Sequence, residues 1–272
     1  NSVKYISYAA LLVLLFAIPL ITQGPYMLRI LCLVGINIIF ACSLRAILNV
    51  GELNLAHAAF MGIGAYASSS LVMRLGLSFW LALPIAAIIT AIMSLPLGFL
   101  TLRFRGAYFL LFAFLFAELI RVLLSNFWVD LFGGIPGLVN IPRPSINIPG
   151  LLQVDFSSNI HFYYLILVLV LLSVLVMYRI DKSRFGMVFN AITQSDVLAE
   201  SVGICRMKFK VLGCIIGCFF AGIAGSIYAH FITIITPPDF AIHAVLLPIA
   251  YVVIVGMGSV FGPVIGTSLL MI

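Results

Sequence analysis

Charged residues are what this sequence has least of. Asp, Glu, Lys and Arg make up 8% of its 272 residues, 64% are hydrophobic, and the mean hydropathy is +1.28. Soluble domains are about one quarter charged. So little charge excludes a soluble globular protein, and we expect a polytopic membrane protein held in the lipid bilayer.

Motifs for catalysis and cofactor binding are also missing. The five cysteines show no CxxC spacing, which argues against a metal knuckle and a disulfide framework. The sequence has no GxxxxGK[ST] phosphate loop, no HExxH and no hydrolase elbow. We therefore predict no catalytic residue, metal site or ATP site in this chain, and we do not expect an enzyme. The net charge of +6 indicates basic residues at membrane edges rather than nucleic-acid binding.

Long apolar runs dominate what remains. A helix needs about 20 apolar residues to cross about 30 Å of hydrocarbon. Runs near that length occupy 5–22, 28–49, 55–73, 79–101, 107–125, 161–180, 208–230 and 242–256, and a partial run begins at Val260. We predict an all-α fold with about eight to ten transmembrane helices in one domain over 1–272. Because Asn1 is not Met and Ile272 lies in an apolar run, we expect further residues beyond both ends.

Two segments interrupt the apolar pattern. Residues 126–160 are rich in Gly and Pro, which rules out a continuous helix and predicts a loop. Residues 179–210 are polar and carry six basic side chains. If 179–210 lies in the cytoplasm and the spans alternate, ten Lys and Arg residues lie inside and three outside, in agreement with the positive-inside rule. The 126–160 loop then faces the external side.

A short polar segment separates the second and third apolar runs. Its candidate pathway residues are Gly51, Glu52, Asn54 and His57. A charged group at membrane depth costs about 2.5–3.5 kcal/mol, so it normally faces a cavity or a partner. We predict a broken helix near 49–57 whose polar groups line a solute path. The alternative is a short cytoplasmic turn in which Asn49 or Asn54 caps the next helix.

One carboxylate falls inside a predicted span. Glu118 and Arg121 lie three residues apart, on one face of a helix. This spacing favours a structural ion pair, and a gate or a substrate contact is the alternative. On the second interpretation Glu118 is a further candidate pathway residue.

The polar segment 179–210 predicts two short helices at 183–205. Ser183 and Arg184 follow the end of a span, and the next residues show mixed helical periodicity as far as Gly203. Amphipathic helices of this kind fill a groove on a soluble partner. A surface loop without a partner explains the pattern equally well.

Several segments together resemble a known family. SRFGMVFNAITQSDVLAESVGI and KFKVLGCIIGCFFAGIAGSIYA are similar to bacterial branched-chain amino acid ABC permeases of the LivM type. GELNLAHAAFMGIGAY, TLRFRGAYFLLFAF, GGIPGL and VVIVGMGSVFGPVIG agree in the same order, so the resemblance covers nearly the whole chain. Glu52 and Asn54 stand where the family often has Gln and Ser, and Ser201 stands where many ABC permeases have Ala. The added carboxylate of Glu52 either contacts an ammonium group or pairs with Arg45.

The resemblance implies a helical importer core in a bacterial inner membrane. A second permease subunit would complete the solute path as a heterodimer, and a periplasmic solute-binding protein would deliver the solute. Two ATP-binding subunits would hold ATP and Mg, so that no cofactor binds this chain. The residues that the resemblance implies in coupling to those subunits are Ser183, Arg184, Asp196, Glu200 and Gly203.

The expected solute is a branched-chain amino acid, which means leucine, isoleucine or valine. Urea or a short amide is the alternative, because such a permease would share the same scaffold. A secondary transporter or channel would need its own ion-coupling carboxylates within the spans. Only Glu52 and Glu118 qualify, and both have a basic residue nearby in the sequence.

Overall fold

The computed structural model describes Phe16, Pro19 and residues 24–101, 107–127, 129–148, 152–156 and 158–271. Its helices are α1 (Pro25–Leu48), α2 (His57–Leu75), α3 (Phe79–Thr101), α4 (Ala107–Asn126), α5 (Val129–Phe132), α6 (Asn159–Lys182), α7 (Arg184–Gln194), α8 (Asp196–Ser201), α9 (Arg206–Ile232), α10 (His243–Val255) and α11 (Phe261–Met271). The remaining elements are strands β1 (Ser145–Ile148) and β2 (Leu152–Asp155) and a 3-10 turn (Pro237–Phe240).

Six helical stretches in the described ranges are long and apolar enough to cross a membrane. They are Pro25–Leu48, Phe79–Phe99, Tyr108–Asn126, Asn159–Lys182, Arg206–Ile232 and Pro237–Val255. Their positions follow the apolar runs of the sequence, and the prediction of an all-α polytopic membrane protein is confirmed. The first predicted run, 5–22, lies outside the described residues except for Phe16 and Pro19.

The loop predicted at 126–160 contains regular structure. It includes α5 and an antiparallel hairpin, in which Ser145 pairs with Asp155 and Ile148 pairs with Leu152. The sequence analysis did not predict these strands, because it took Gly and Pro only as helix breakers. Proline is compatible with the start of an edge strand, and both strands of a two-stranded ribbon are edges. The short ribbon leaves the all-α class unchanged.

Helix α2 is long enough to be a span, yet it is not among the six apolar helices. It carries His57, Arg74 and three consecutive serines, of which Ser68 and Ser69 are fully buried. The Ser69 hydroxyl donates to the Ala65 carbonyl at 2.8 Å. Helix α2 packs mainly against α9 and α3. Because His57, Ser68 and Ser69 face protein rather than lipid, α2 needs less hydrophobicity than a lipid-exposed span.

Glycines set the distance between α2 and α9. A Cβ atom added at Gly64 would lie 2.5 Å from the carbonyl oxygen of Gly222, which is closer than Cβ atoms approach other heavy atoms. Small residues allow two helix backbones to pack this closely inside a membrane. The contact therefore depends on the absence of a side chain at position 64.

The connections between helices gather at two ends of the bundle. At one end, here called the α7–α8 end, Arg45 forms an ion pair with Asp181 at 2.7 Å. At the opposite end, the Arg74 guanidinium donates to the Asp130 carbonyl. Helix α1 finishes and α2 begins at the α7–α8 end. The predicted interruption near 49–57 is therefore a turn between two spans that run in opposite directions.

We expect Gly64→Ala to destabilise the protein by about 1–3 kcal/mol, which is the usual cost of overpacking a core. The added methyl group meets backbone of α9, which cannot move aside as a flexible side chain would. The measurement is the midpoint of thermal unfolding in detergent, read by size-exclusion chromatography. Gly24→Ala is the control, since a Cβ atom there meets nothing within 4 Å. Equal midpoints for the two variants would contradict the close α2–α9 contact.

Candidate functional site

Two short helices follow the long span α6, as the sequence predicted at 183–205. Ser183 is the N-cap of α7, and its side chain accepts a hydrogen bond from the Phe185 amide at 3.2 Å. Ser195 is likewise the N-cap of α8, and its side chain accepts a hydrogen bond from the Leu198 amide at 3.3 Å. The chain then turns at Gly203, whose φ of +85° favours glycine. Local capping chemistry thus defines both helices.

The two helices have a buried face and an exposed apolar face. Phe189 and Ile192 of α7 and Ala199 of α8 are buried against the bundle. In contrast, the apolar side chains of Val197, Leu198 and Val202 are 69%, 68% and 75% exposed. We call these three residues the α8 patch. Exposed apolar side chains that lie together are typical of surfaces that contact another protein or a membrane.

A cluster of charged side chains lies behind α8. The Lys210 ammonium, on α9, is 2.7 Å from the Glu52 carboxylate and 3.1 Å from the Asp196 carboxylate. The side chains of Lys210 and Glu52 are only 7% and 9% exposed. Burial raises the pKa of the Glu52 carboxyl above its ordinary value, and the Lys210 ammonium opposes that rise.

Arg206 extends the cluster toward solvent. Its guanidinium lies 3.3 Å from the Asp196 carboxylate and 3.5 Å from the Glu200 carboxylate. Two cations of α9 therefore face two carboxylates of α8, and Glu52 adds a third carboxylate from the turn 49–56. Of these groups Glu200 is the most exposed, with half of its side chain accessible. The cluster ties α8, α9 and the turn together.

The proposed pairing of Glu52 with Arg45 is wrong. Arg45 forms its ion pair with Asp181 at the end of α6, and its Nε donates to the Met257 carbonyl at 2.8 Å. Glu52 pairs with Lys210 instead. Arg45 is near Glu52 in sequence, but the helical geometry of α1 directs it toward α6.

The other candidate pathway residues lie in the interior of the chain. Asn54 is fully buried, and its side-chain oxygen accepts from the Ala56 amide at 2.9 Å within the turn. Ala56 is the N-cap of α2 and no side chain caps it, so Asn54 does not have the capping role of the alternative. His57 is also fully buried and lies 2.8 Å from the Ser43 hydroxyl. Because that hydroxyl donates to the Phe40 carbonyl, His57 donates through Nε2. The pathway role of these residues stays a prediction, and their burial favours a structural role.

The remaining predicted residues occupy separate places. Gly51 is exposed in the turn, with a φ of +80°. Arg184 is exposed in the first turn of α7. Glu118 and Arg121 form the predicted ion pair on α4 at 2.8 Å, away from the charged cluster. The structure thus brings Glu52 together with Asp196 and Glu200, and it leaves Glu118 apart.

Two residues of the cluster escaped the sequence analysis. Arg206 and Lys210 lie four residues apart, so they share one face of the first turns of α9. That spacing, at the start of an apolar span, was the available signal for a paired basic face. Within the described ranges, no group of three or more His, Cys, Asp or Glu residues is placed to hold a metal ion.

The sequence of this chain is similar to those of known proteins. The profile of the family described as "Branched-chain amino acid transport system / permease component" matches residues 26–272. The "High-affinity branched-chain amino acid transport system permease protein LivM" of Escherichia coli K12 is 32% identical over 284 residues, and that of Salmonella typhimurium LT2 is 30% identical over 289 residues. Both alignments cover 97% of this chain and 66% of the relative, so the chain spans slightly less than two thirds of their length. No solved structure is significantly similar to the chain.

Members of this family are transport components and not enzymes. The six apolar helices agree with a multi-pass protein of the bacterial inner membrane. The match over 26–272 is long enough to assign the family. The chain therefore belongs to the family of branched-chain amino acid transport system permease components.

Proposed function

We propose that the chain is a transmembrane permease subunit of an ATP-driven ABC importer for leucine, isoleucine and valine. The observation that carries this proposal is the α8 patch, an exposed apolar surface on a short capped helix between two spans. A permease with such a surface transmits work done by a separate ATPase. The names of the two LivM relatives support the solute class.

The proposed assembly contains several partners. A second permease subunit completes the solute path, two ATP-binding subunits carry ATP and Mg, and a periplasmic binding protein delivers the solute. The α7–α8 end faces the cytoplasm in this assembly, in agreement with the positive-inside rule. In this assembly an ATP-binding subunit contacts the α8 patch.

The proposed mechanism converts ATP binding into movement of α7 and α8. A ligand shifts a conformational equilibrium only by its differential affinity for the two states, so uphill import requires the ATPase to supply the rest. The α8 patch receives the ATPase by apolar burial, and the charged cluster behind it connects the patch to α9. Movement at this end then changes which side of the membrane the path opens to.

The charged pairs weigh against a secondary transporter or channel. Such a protein needs a carboxylate within the spans that gains and loses an ion or a proton. Glu52 is paired with Lys210, and Glu118 is paired with Arg121. Both candidate carboxylates thus already have a cation, which favours an importer driven by a separate ATPase.

The α8 patch predicts a specific cross-link. A photoreactive amino acid at Val202 should link this chain to an ATP-binding subunit in native membranes, because the side chain is exposed at the proposed interface. The same probe at Leu269 is the matched control, since that apolar side chain is 71% exposed but lies on α11. Mass spectrometry of the linked product identifies the partner. Links to an ATP-binding subunit from Leu269 and not from Val202 would contradict the assignment.

The charge on α8 predicts an uncoupled variant. Glu200→Arg places a second guanidinium beside Arg206 and removes a carboxylate from the proposed interface. We expect uptake to fall at least about tenfold, which corresponds to about 1.4 kcal/mol of lost interaction, while the protein still inserts in the membrane. Uptake of labelled leucine in cells that lack the native importer measures the effect. Unchanged uptake would remove Glu200 from the coupling surface.

Competition distinguishes the proposed solutes from the alternatives. In vesicles that contain the whole importer, excess isoleucine or valine should suppress uptake of labelled leucine, because the three solutes share the zwitterion and a branched side chain. Excess urea or acetamide should leave leucine uptake unchanged. Uptake of labelled urea, or transport without ATP, would favour a short-amide permease or a secondary transporter instead.

A further inference from the structure

Both short helices contact the same turn. We call residues 49–56 the receiver turn. From the end of α7, the Thr193 hydroxyl donates to the Asn49 carbonyl. From α8, Asp196 reaches the turn through Lys210, whose ammonium also holds Glu52. Any displacement of α7 and α8 therefore acts on the receiver turn at two points.

The receiver turn is firmly attached to α2. Val50, Asn54 and Ala56 are fully buried, so these three residues of the turn pack against the bundle. The Asn54 side chain holds the Ala56 amide, and the first residue of α2, His57, is hydrogen-bonded to Ser43 on α1. The turn is thus linked to the start of α2, which His57 also connects to α1.

Helix α2 carries this movement to the opposite end of the bundle. Its 19 residues extend about 28 Å, at 1.5 Å per residue. Near its far end the Ser70 hydroxyl donates to the Leu131 carbonyl at 3.3 Å, and Arg74 donates to the Asp130 carbonyl. The Tyr66 ring packs edge-on against Phe132 at 5.9 Å. These contacts connect α2 to α5, in the loop predicted to be external.

The charged cluster can lose one of its ion pairs without leaving a buried charge unpaired. Removing one partner of a buried pair costs about 3–5 kcal/mol, because the remaining charge is uncompensated. If α8 withdraws Asp196, Lys210 still holds Glu52, and both side chains remain buried as a neutral pair. Asp196 is 28% exposed and lies on a helix of six residues. The Asp196–Lys210 contact is therefore the breakable one.

We propose that Lys210 is a positioning residue that transmits the movement of α8 through the receiver turn into α2, and that α2 passes it to the opposite end of the bundle. This inference rests on the proposed function, because it requires an ATPase seated on α8. In the arrangement described here, Asp196 and Glu52 share the Lys210 ammonium and hold α2 in one position. Displacement of α8 breaks the Asp196 contact, so that the Lys210–Glu52 pair is no longer held to α8 and shifts together with the receiver turn.

The test measures movement of the far end of α2 in the complete importer, reconstituted in nanodiscs. Spin labels at Leu75→Cys on α2 and Ile160→Cys on α6 report one distance, in a Cys205→Ser background because Cys205 is exposed. We expect a non-hydrolysable ATP analogue to change this distance in the otherwise native complex. Lys210→Met should abolish the change, Lys210→Arg should restore it, and Lys208→Met should leave it intact, since Lys208 is an exposed lysine two residues away.

A second variant decides the outcome if Lys210→Met does not fold. Asp196→Asn leaves the buried Lys210–Glu52 pair intact and removes the Asp196 carboxylate that links α8 to Lys210 and to Arg206. We expect it to reduce the solute moved per ATP hydrolysed by about fivefold or more, the usual lower range of a coupling between sites. The Val202 cross-link should persist in this variant, which separates a loss of transmission from a loss of docking.

The results distinguish the inference from the proposed function. If the native complex neither hydrolyses ATP nor imports leucine, the proposed function fails. If it does both, but Lys210→Met keeps the full distance change or Asp196→Asn keeps the native ratio of solute to ATP, transmission through Lys210 is wrong. A native complex that imports leucine without any distance change at Leu75 also overturns the inference.

Discussion

A buried ammonium group must have a carboxylate beside it, and this constraint organises the α7–α8 end of the protein. Lys210 lies at the start of a long apolar helix, where an unpaired charge would cost several kcal/mol. The Lys210 ammonium forms two ion pairs, one with the Glu52 carboxylate of the turn and one with the Asp196 carboxylate of α8. A single cation thereby joins α8 and α9 to a turn that lies 158 residues away from it in sequence. Together with the Thr193–Asn49 hydrogen bond, it connects the two short helices to the turn before α2.

The interior of the bundle follows a second constraint, that polar groups inside a membrane must face protein. Helix α2 is less hydrophobic than the six apolar helices, yet it is among the most enclosed helices in the described ranges. Its small residues bring its backbone against α9, and that close contact shields the buried serines from lipid. Helix α2 therefore contacts neighbouring helices where its buried serines lie, and this packing is what the proposed transmission through α2 requires.

Sequence reasoning located the spans well because hydrophobicity is a local property, recorded in each run of about 20 residues. It also located α7 and α8, because Ser183 and Gly203 mark helix ends through local chemistry. Sequence reasoning failed where the contacting residues are far apart in the sequence. Lys210 is 158 residues from Glu52, and no local pattern joins them, so the sequence offered only the nearer Arg45 or a solute ammonium as possible partners. The β-hairpin was missed because its pairing depends on two segments and not on one.

The Lys210–Glu52 pair also bears on how the importer selects its solute. Glu52 is a departure from the pattern of the family motif, and a carboxylate there suggests a contact with the ammonium group of an amino acid. Its carboxylate is, however, already held by Lys210 at 2.7 Å in a buried site. The Glu52 carboxylate thus neutralises a cation of the chain itself, and this cation also has Asp196 as a partner. This arrangement favours a structural role for Glu52 over recognition of the solute ammonium.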